Sequence, residues 1–291
     1  MFKIDQQLFV FVTVAEKKNF SRAAEELHMT QPAVSQYIRT LEQTIGTKLL
    51  DRNNKYVRLN KAGEIVYHHA KEILGLYTKM HDLVDDLTNK TSGSVSIGAS
   101  YTVGEYVLPH IITVMHKRYP LIHPSIMIGN SKDIAELVKK HQLDVGIIEG
   151  ELQDKQLTIE PFATDFMYII ASANREWSEE ISISQLEEET WIVREEGSGT
   201  RAATERMFQT FGIKPQRKLE FGSTQLIKES VEEGLGITLL SDSAIRKEHS
   251  MGLLKIVKVR ELPVTREFST VLSSPFQTKA LQVFLDLVRK K

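Results

Sequence analysis

The chain has 291 residues, enough for two domains of ordinary size, and its 41% hydrophobic and 26% charged residues exclude an intrinsically disordered chain. The absence of cysteine excludes disulfides, thiolate catalysis and cysteine-ligated zinc. The net charge of −1 is unevenly distributed: residues 1–60 carry nine Lys/Arg against six Asp/Glu, and the remainder is acidic. A small basic segment on an acidic body favours binding of a polyanion through the N-terminal end.

The apolar run within residues 1–20 is interrupted by acids and amides, and no cleavage-site pattern follows it. No stretch approaches the roughly 20 apolar residues that a membrane span needs. We therefore expect a cytoplasmic protein without a membrane partner.

The first sixty residues predict three helices. Apolar side chains at i, i+3, i+4 and i+7 from Leu8 define the first. Ser21 is predicted to cap a short second helix. Thr30 is predicted to cap a third, whose first turn holds Pro32, where a missing N–H does no harm. The third helix has an apolar stripe, formed by Val34, Ile38, Leu41 and Ile45.

The opposite side of the third helix carries hydrogen-bonding side chains, namely Gln31, Ser35, Gln36, Arg39 and Gln43. Such groups can pair with base edges or phosphates in a major groove. A solvated helix face is the ordinary alternative. The short preceding helix, the turn and the local positive charge favour a helix-turn-helix that reads DNA.

A basic hairpin is predicted directly afterwards. Asn53-Asn54 marks a tight turn between two short strands, and Arg52, Lys55 and Arg58 surround it. A basic hairpin beside a recognition helix is a wing, suited to phosphate or minor-groove contact.

The stretch FSRAAEELHMTQPAVSQYIRTLEQTIGTKLLDRNNKYVRLNKAG, residues 20–63, resembles the winged helix-turn-helix of LysR-type transcriptional regulators. In that family the start of the recognition helix and the wing contact DNA. Carried over by motif position, the candidate DNA-binding residues are Thr30, Gln31, Pro32, Ser35, Gln36, Arg39, Arg52, Lys55 and Arg58. Three positions depart from the family pattern: Thr30 stands where Ser is commoner, Gln36 where Arg is frequent, and Asn60 where Thr is usual.

Apolar residues after Gly63 alternate at steps of four and three, which predicts a helix from Ala62 to about Thr88, roughly 40 Å long. The seam consists of Val66, Ala70, Ile73, Tyr77, Met80, Val84 and Leu87. Burial against the protein's own body would also explain it. The family resemblance implies instead that this helix pairs two chains, placing two recognition helices on two half-sites. It further implies a tetramer, with RNA polymerase as another candidate partner.

From Val95 onward, short apolar runs alternate with helical patterns, which predicts an α/β domain with largely parallel strands. Residues 129–148 and 222–240 form a faint repeat, in which an offset of 93 aligns Ile134 with Ile227. The repeat predicts two similar lobes with a cleft between them. The family's effector domain has this layout, similar to a periplasmic binding protein, and the lobe crossings are expected near Phe162 and Phe268.

The stretch REEGSGTR, residues 194–201, lies between a predicted strand and a predicted helix. Its glycines, hydroxyls, helix N-terminus and Arg201 together form anion-binding chemistry, although ordinary helix capping explains the same residues. Hydroxyl residues at other predicted strand ends favour a ligand cleft, and Ser131 is predicted to cap the helix after its strand. Glu149 would favour a ligand that carries a donor group, such as an amino acid.

From these strand ends and the family resemblance, the candidate effector residues are Ser100, Tyr101, Thr102, Ser131, Glu149, Gly197, Ser198, Gly199, Thr200, Arg201 and Thr224. The stretch REEGSGTR is further similar to regulators of sulfur assimilation and of carbon-dioxide fixation. That resemblance implies a small oxyanion, an organic acid or a phosphorylated metabolite as effector.

Three other functions are less well supported by the sequence. A solute-binding protein of clamshell form is disfavoured by the missing signal segment and the basic N-terminal end. An enzyme is disfavoured because the nine histidines show no ligand spacing and no nucleophile lies in a motif. A DNA-architectural protein would leave about 200 residues of α/β domain unexplained.

We therefore predict an all-α winged helix-turn-helix plus long linker helix, followed by a two-lobed α/β periplasmic-binding-protein-like effector domain. The function is sequence-specific transcriptional regulation controlled by a small anionic metabolite in the interlobe cleft, without catalytic residues, metal or cofactor. The predicted boundaries are residues 1–60 for DNA binding, 61–90 for the linker and 91–291 for the effector domain. Lobe I comprises about 91–162 and 267–291, and lobe II about 163–266.

Overall fold

The structure of the protein, a computed structural model, describes residues 3–52, 56–85, 92–177 and 181–290. The chain divides into two units, Met1–Asp85 and Asp86–Lys291. Among the helices of the described residues, none is long and apolar enough to cross a membrane.

The first unit contains three helices, a hairpin and a long fourth helix: α1 Lys3–Lys17, α2 Phe20–Glu26, α3 Gln31–Ile45, β1 Leu50–Arg52, β2 Val57–Leu59 and α4 Lys61–Asp85. Its hydrophobic core includes Phe11 of α1, Ala23 of α2 and Ile38 of α3, all fully buried. The predicted hairpin is present as an antiparallel pair of β1 and β2.

Side-chain caps mark the starts of α2 and α3. Thr30 caps α3 as predicted, since its hydroxyl accepts from the N–H of Ala33 at 3.4 Å. The prediction for α2 was wrong, because Asn19 rather than Ser21 caps it; the Asn19 side chain accepts from the N–H of Ser21 at 2.9 Å. The predicted stripe of α3 holds for its first three residues but not for Ile45, which is 46% exposed in the last turn.

Asn60 joins the hairpin to α4. Its side-chain oxygen accepts from the N–H of Gly63 at 2.8 Å, and its amide donates to the carbonyl of Lys48 at 2.9 Å. A Cβ on Gly63 would lie 2.0 Å from the carbonyl oxygen of Leu49, so this close approach requires glycine. The predicted helix end at Thr88 and the seam residue Leu87 lie outside the described residues.

The predicted seam of α4 divides into two parts. Val66 and Ala70 pack into the core of the first unit, and Ala70 is only 1% exposed. The prediction that Ala70 contributes to a seam toward a second chain was therefore wrong, and the alternative of burial against the protein's own body applies to it. An apolar face remains exposed, formed by Ile65, Ile73, Leu76, Met80 and Val84.

The second unit has two lobes joined by two long strands, β6 Thr158–Ser172 and β11 Val264–Leu272. Lobe I contains β3 Gly93–Ser100, a π-helical turn Val103–Val107, α5 Leu108–Arg118, β4 Ile122–Gly129, α6 Ser131–Lys139, β5 Val145–Glu149 and α10 Lys279–Arg289. Lobe II contains a 3-10 turn Ile183–Leu186, β7 Thr190–Arg194, α7 Gly199–Phe211, β8 Arg217–Phe221, α8 Thr224–Glu232, β9 Thr238–Ser241, α9 Asp242–Ser250 and β10 Leu254–Ile256.

The strands follow the predicted parallel arrangement within each lobe but not between them. In the sheet order β10-β6-β11-β5-β3-β4, β3 is parallel to β4 and β5, and in lobe II β7 is parallel to β8. The pairs that involve β6 or β11 are antiparallel. The apolar residues from Met167 onward form the second part of β6, which crosses between the lobes and pairs with the returning β11.

The hydrophobic clusters show where the two strands cross. Along β6 the cluster changes from lobe I to lobe II between Ala163 and Met167, and along β11 it changes back between Val264 and Phe268. The β6–β11 pairing has a register irregularity directly after Phe268. Residues 164–166 of β6 and 265–267 of β11 therefore form the crossings between the two apolar cores.

The internal repeat corresponds to two equivalent strand–helix units. Ile134 of α6 and Ile227 of α8 are both fully buried. Their helices are capped by Asn130 and Ser223, which also lie 93 residues apart. Ser131 was therefore wrongly predicted as a cap, and its hydroxyl instead donates to the carbonyl of Glu149 at 3.1 Å.

Candidate functional site

The predicted DNA-reading side of α3 faces solvent. Gln31, Gln36 and Arg39 are exposed, and Ser35 is half-buried. The Gln31 amide donates to the Ser35 hydroxyl at 2.9 Å, which orients both side chains on the first turns of the helix. Thr30 and Pro32 are exposed beside them.

The opposite side of α3 is fixed by Glu42, which is 4% exposed. Its carboxylate accepts from the N–H of Leu49 at 3.0 Å and from Lys48 Nζ at 2.8 Å. Burial alone would raise the pKa of Glu42, but these donors outweigh it and lower the pKa. The ionised Glu42 thus ties the recognition helix to the strand that begins the wing, residues 50–59.

The wing places two of its three predicted basic side chains beside aromatic rings. The Arg52 guanidinium lies 5.4 Å from the ring centroid of Phe20, and that of Arg58 lies 5.1 Å from Tyr56. Arg58 also lies 3.3 Å from the Asp51 carboxylate. Lys55 lies outside the described residues.

In the second unit, a buried arginine stands at the crossing between the lobes. The Arg266 guanidinium contacts Asp165 Oδ2 at 2.8 Å, Thr200 Oγ1 at 2.9 Å, Glu149 Oε2 at 3.1 Å and Thr102 Oγ1 at 3.2 Å. We call these five residues the interlobe cluster. Thr102 and Glu149 belong to lobe I, Thr200 to lobe II, and Asp165 and Arg266 to the crossing strands, so one guanidinium joins both lobes.

Three predicted effector residues therefore meet in the interlobe cluster. Thr200 also donates to Glu149 Oε1 at 3.1 Å, so its hydroxyl serves both charged partners. Arg266 and Asp165 were missed by the sequence analysis. The only available indication was a charged residue in each apolar run near a predicted crossing.

Besides Arg266, Asp165 has a partner in lobe II: the Ser241 hydroxyl donates to Asp165 Oδ1 at 2.6 Å. Burial raises the pKa of the Asp165 carboxyl. Arg266 and Ser241 offset only part of that effect, and the nearby Glu149 charge adds to it.

The glycine-rich loop lies against lobe I. Ser198 caps α7, as the helix-capping alternative predicts, accepting from the N–H of Arg201 at 3.4 Å. A Cβ on Gly199 would lie 2.0 Å from the carbonyl oxygen of Glu149, and the carbonyl of Gly197 accepts from the N–H of Lys132 at 3.2 Å. Glycine thus permits backbone contact between the two lobes.

Arg201 lies against its own lobe. Its guanidinium contacts Glu205 at 2.6 Å, Glu220 at 3.0 Å and the carbonyl of Arg194 at 2.8 Å. Burial would lower the pKa of Arg201, and the two carboxylates more than offset it, so the pKa is raised. In this structure Arg201 ties α7 to β7 and β8.

Tyr101 and Thr224 meet at a second buried arginine, Arg194, at the end of β7. Its guanidinium lies 4.5 Å from the Tyr101 ring centroid and donates to the Thr224 hydroxyl at 2.9 Å. Ser100, directly before Tyr101, is fully buried, and its hydroxyl has no hydrogen-bond partner within the described part of the chain. Over the same ranges, no three His, Asp or Glu side chains are grouped so that they could hold a metal ion.

Comparison with known proteins matches both units to families. The family "Bacterial regulatory helix-turn-helix protein, lysR family" matches residues 6–64, and "LysR substrate binding domain" matches residues 88–291. The HTH-type transcriptional regulator CysL of Bacillus subtilis (strain 168) is 35% identical over 285 residues, covering 97% of this chain and 95% of the relative. A RuBisCO operon transcriptional regulator of Acidithiobacillus ferrooxidans is 33% identical over 286 residues, covering 96% and 92%.

A solved structure resembles the second unit. The regulatory domain of CcmR from Synechocystis PCC6803, in complex with 2-PG, has a TM-score of 0.63 and 27% sequence identity. The match covers 68% of this chain and 97% of that domain. The two family matches together span both units, and the relatives named above are regulators of transcription rather than enzymes. The chain belongs to the LysR family and is a LysR-type transcriptional regulator with a helix-turn-helix domain and a two-lobed effector-binding domain.

Proposed function

We propose that this protein regulates transcription in response to a small anionic metabolite bound in the cleft between the lobes of the second unit. The α3 face and the wing would bind a partly palindromic operator, and the protein would act in the cytoplasm, where its operator lies. The related CcmR domain in complex with 2-PG supports metabolite binding by this fold.

The observation that carries the proposal is the interlobe cluster. The buried guanidinium of Arg266 contacts Thr102 of lobe I and Thr200 of lobe II. The distance between the lobes therefore depends on which of these hydrogen bonds Arg266 keeps. A ligand that binds beside this cluster changes the balance between lobe arrangements by its different affinity for each. The lobe arrangement would then alter how paired chains engage DNA.

The side chains of the cleft suit an anionic ligand for two reasons. Arg194 and Arg266 are both buried beside residues of the segment Ser100–Thr102, and arginine binds carboxylates, phosphates and sulfates through paired N–H donors. The Ser100 hydroxyl, which has no hydrogen-bond partner among the described residues, supplies a further hydrogen-bonding group in that segment. These groups fit each of the effector classes predicted from the sequence, namely a small oxyanion, an organic acid or a phosphorylated metabolite.

Pairing through the exposed face of α4 would bring two recognition helices onto two half-sites. Ile73, Met80 and Val84 lie on that face and are each about half exposed. We propose a dimer through this face, with a tetramer as the further assembly and RNA polymerase as a candidate partner.

The test compares the parent chain with Thr200→Ala and Thr200→Ser. Thermal shifts of the full chain would be measured with sulfate, thiosulfate, O-acetylserine, phosphoenolpyruvate and dicarboxylates, followed by gel shifts on the operator with each active compound. The alanine variant removes the hydroxyl that joins Glu149 and Arg266, and is expected to reduce the effector response at least about tenfold with operator binding nearly intact. The serine variant keeps the hydroxyl and is expected to respond like the parent.

An alanine variant that responds to the active compound as strongly as the parent would overturn the assignment of the effector site to this cleft. A parent chain whose operator binding is unchanged by every compound that stabilises it would overturn the proposed regulation.

A further inference from the structure

Arg194 is held by its own chain neighbour. Its Nε and Nη2 donate to the two carboxylate oxygens of Glu195 at 2.7 and 2.8 Å, while Nη1 donates to the Thr224 hydroxyl. One face of the guanidinium lies over the Tyr101 ring of lobe I. The bidentate pairing occupies the paired donors that arginine uses for carboxylates and phosphates.

The two partners differ in exposure. The Arg194 side chain is 1% exposed, whereas that of Glu195 is 23% exposed. Glu195 follows the last residue of β7 and begins the loop that leads to Gly197. Its carboxylate can therefore turn toward water, but the buried guanidinium cannot follow it and needs a replacement anion.

Arg266 is more tightly enclosed. The side chains of its carboxylate partners, Glu149 and Asp165, are 2% and 3% exposed. Exchange of either carboxylate for a ligand would require displacing a fully buried charge. Of the two buried arginines in the cleft, Arg194 therefore holds the partner that is more easily displaced.

We propose that Arg194 binds the carboxylate or phosphate group of the effector, and that Glu195 is an internal competitor which the effector displaces. This inference rests on the proposed function and identifies the residue that recognises the anion. Tyr101 of lobe I and Thr224 of lobe II both contact the Arg194 guanidinium, so an anion bound there lies beside residues of both lobes.

The test uses inorganic phosphate as the probe and the full chain, at constant ionic strength. Calorimetric titration would compare the parent with Glu195→Gln, which removes the competing charge at nearly equal volume. Glu196→Gln is the matched control, because it removes an exposed acidic charge from the next residue. Phosphate is expected to bind Glu195→Gln at least about tenfold more tightly than the parent, and Glu196→Gln within about twofold of the parent.

The double variant Arg194→Gln, Glu195→Gln shows whether the gain depends on Arg194. Both charges are removed together, so no unpaired charge remains buried, and the gain in phosphate affinity is expected to disappear. Should Glu195→Gln fold poorly, Glu195→Asp weakens the bidentate pair while keeping the charge, and an intermediate gain is expected.

Equal phosphate affinity in Glu195→Gln and Glu196→Gln, or a gain that persists in the double variant, would overturn the assignment of Arg194. Those results would leave the proposed function intact if the operator response still depended on Thr200. Conversely, a gain that depends on Arg194 without any operator response would support the anion site and contradict the proposed regulation.

Discussion

The Asp165 side chain gives the second unit a distinct dependence of stability on pH. Its folded-state pKa is raised, chiefly by burial, above the unfolded value of about 3.9. The stability it contributes is therefore complete below the unfolded pKa and is lost as pH rises through the folded pKa. We expect the destabilisation caused by Asp165→Asn, measured by denaturant unfolding, to shrink from about pH 4 to about pH 8.

Asp154→Asn provides a control of opposite sign. The hydrogen bond from Lys139 at 2.8 Å lowers the pKa of Asp154, so its contribution is lost as pH falls. Destabilisation by Asp154→Asn should thus grow as pH rises from below the folded pKa to the unfolded value of about 3.9, and stay constant from about pH 5 to about pH 8. A growing effect for Asp165→Asn as well would show that Arg266 outweighs burial at that carboxyl.

The role of the recognition helix in operator binding can be tested at a single hydroxyl, that of Ser35. It lies half-buried on the solvent side of α3 and accepts from Gln31, so Ser35→Ala frees the Gln31 amide without opening the core. We expect operator affinity to fall about fivefold, the effect of one net hydrogen bond, with a stability change within about 0.5 kcal/mol. A footprint identical to that of the parent at equal protein concentration would contradict this role.

At the scale of elements, the contact of α7 with β5 is set by backbone rather than side chains. A Cβ at position 199 would clash with the Glu149 carbonyl, whereas a Cβ on Gly222 would meet nothing within 4 Å. Gly199→Ala is expected to destabilise the second unit by about 1–3 kcal/mol or more, because the lobes must move apart. Gly222→Ala should leave the melting temperature nearly unchanged, and equal effects of the two variants would rule out this explanation.

In α4, the spacing of apolar residues does not show which of them are buried within the chain's own first unit. Its four–three spacing is regular, yet Ala70 packs into the core of its own unit while Met80 is 50% exposed. The spacing specifies an apolar face, but the length over which the neighbouring α1 covers that face depends on how the helices pack.

At the scale of the whole molecule, the exposed part of α4 predicts assembly. Met80→Glu would place a carboxylate in the proposed dimer interface, where burying an unpaired charge is unfavourable. We expect the dissociation constant of the dimer, measured by analytical ultracentrifugation, to rise at least about tenfold. Thr78→Glu introduces the same charge at an exposed position on another side of the helix and should not change the dimer. An unchanged dimer in Met80→Glu would place the interface elsewhere.

The sequence by itself determined the order and type of most elements, the helix-turn-helix and the glycine-rich loop. These depend on local spacing, caps and turns, such as Thr30 before Pro32, which lie within a few residues of each other. It also led to the family, because the motif of residues 20–63 is local.

Only the tertiary structure decided which residues meet between the lobes. Arg266 and Asp165 are 101 residues apart in sequence and become partners because β6 and β11 pair antiparallel where they cross. Arg194 reaches Tyr101 only because the two lobes lie together. Contacts of this kind depend on long-range strand pairing and lobe packing, which no local pattern encodes, and so the two arginines were recognised only in the folded chain.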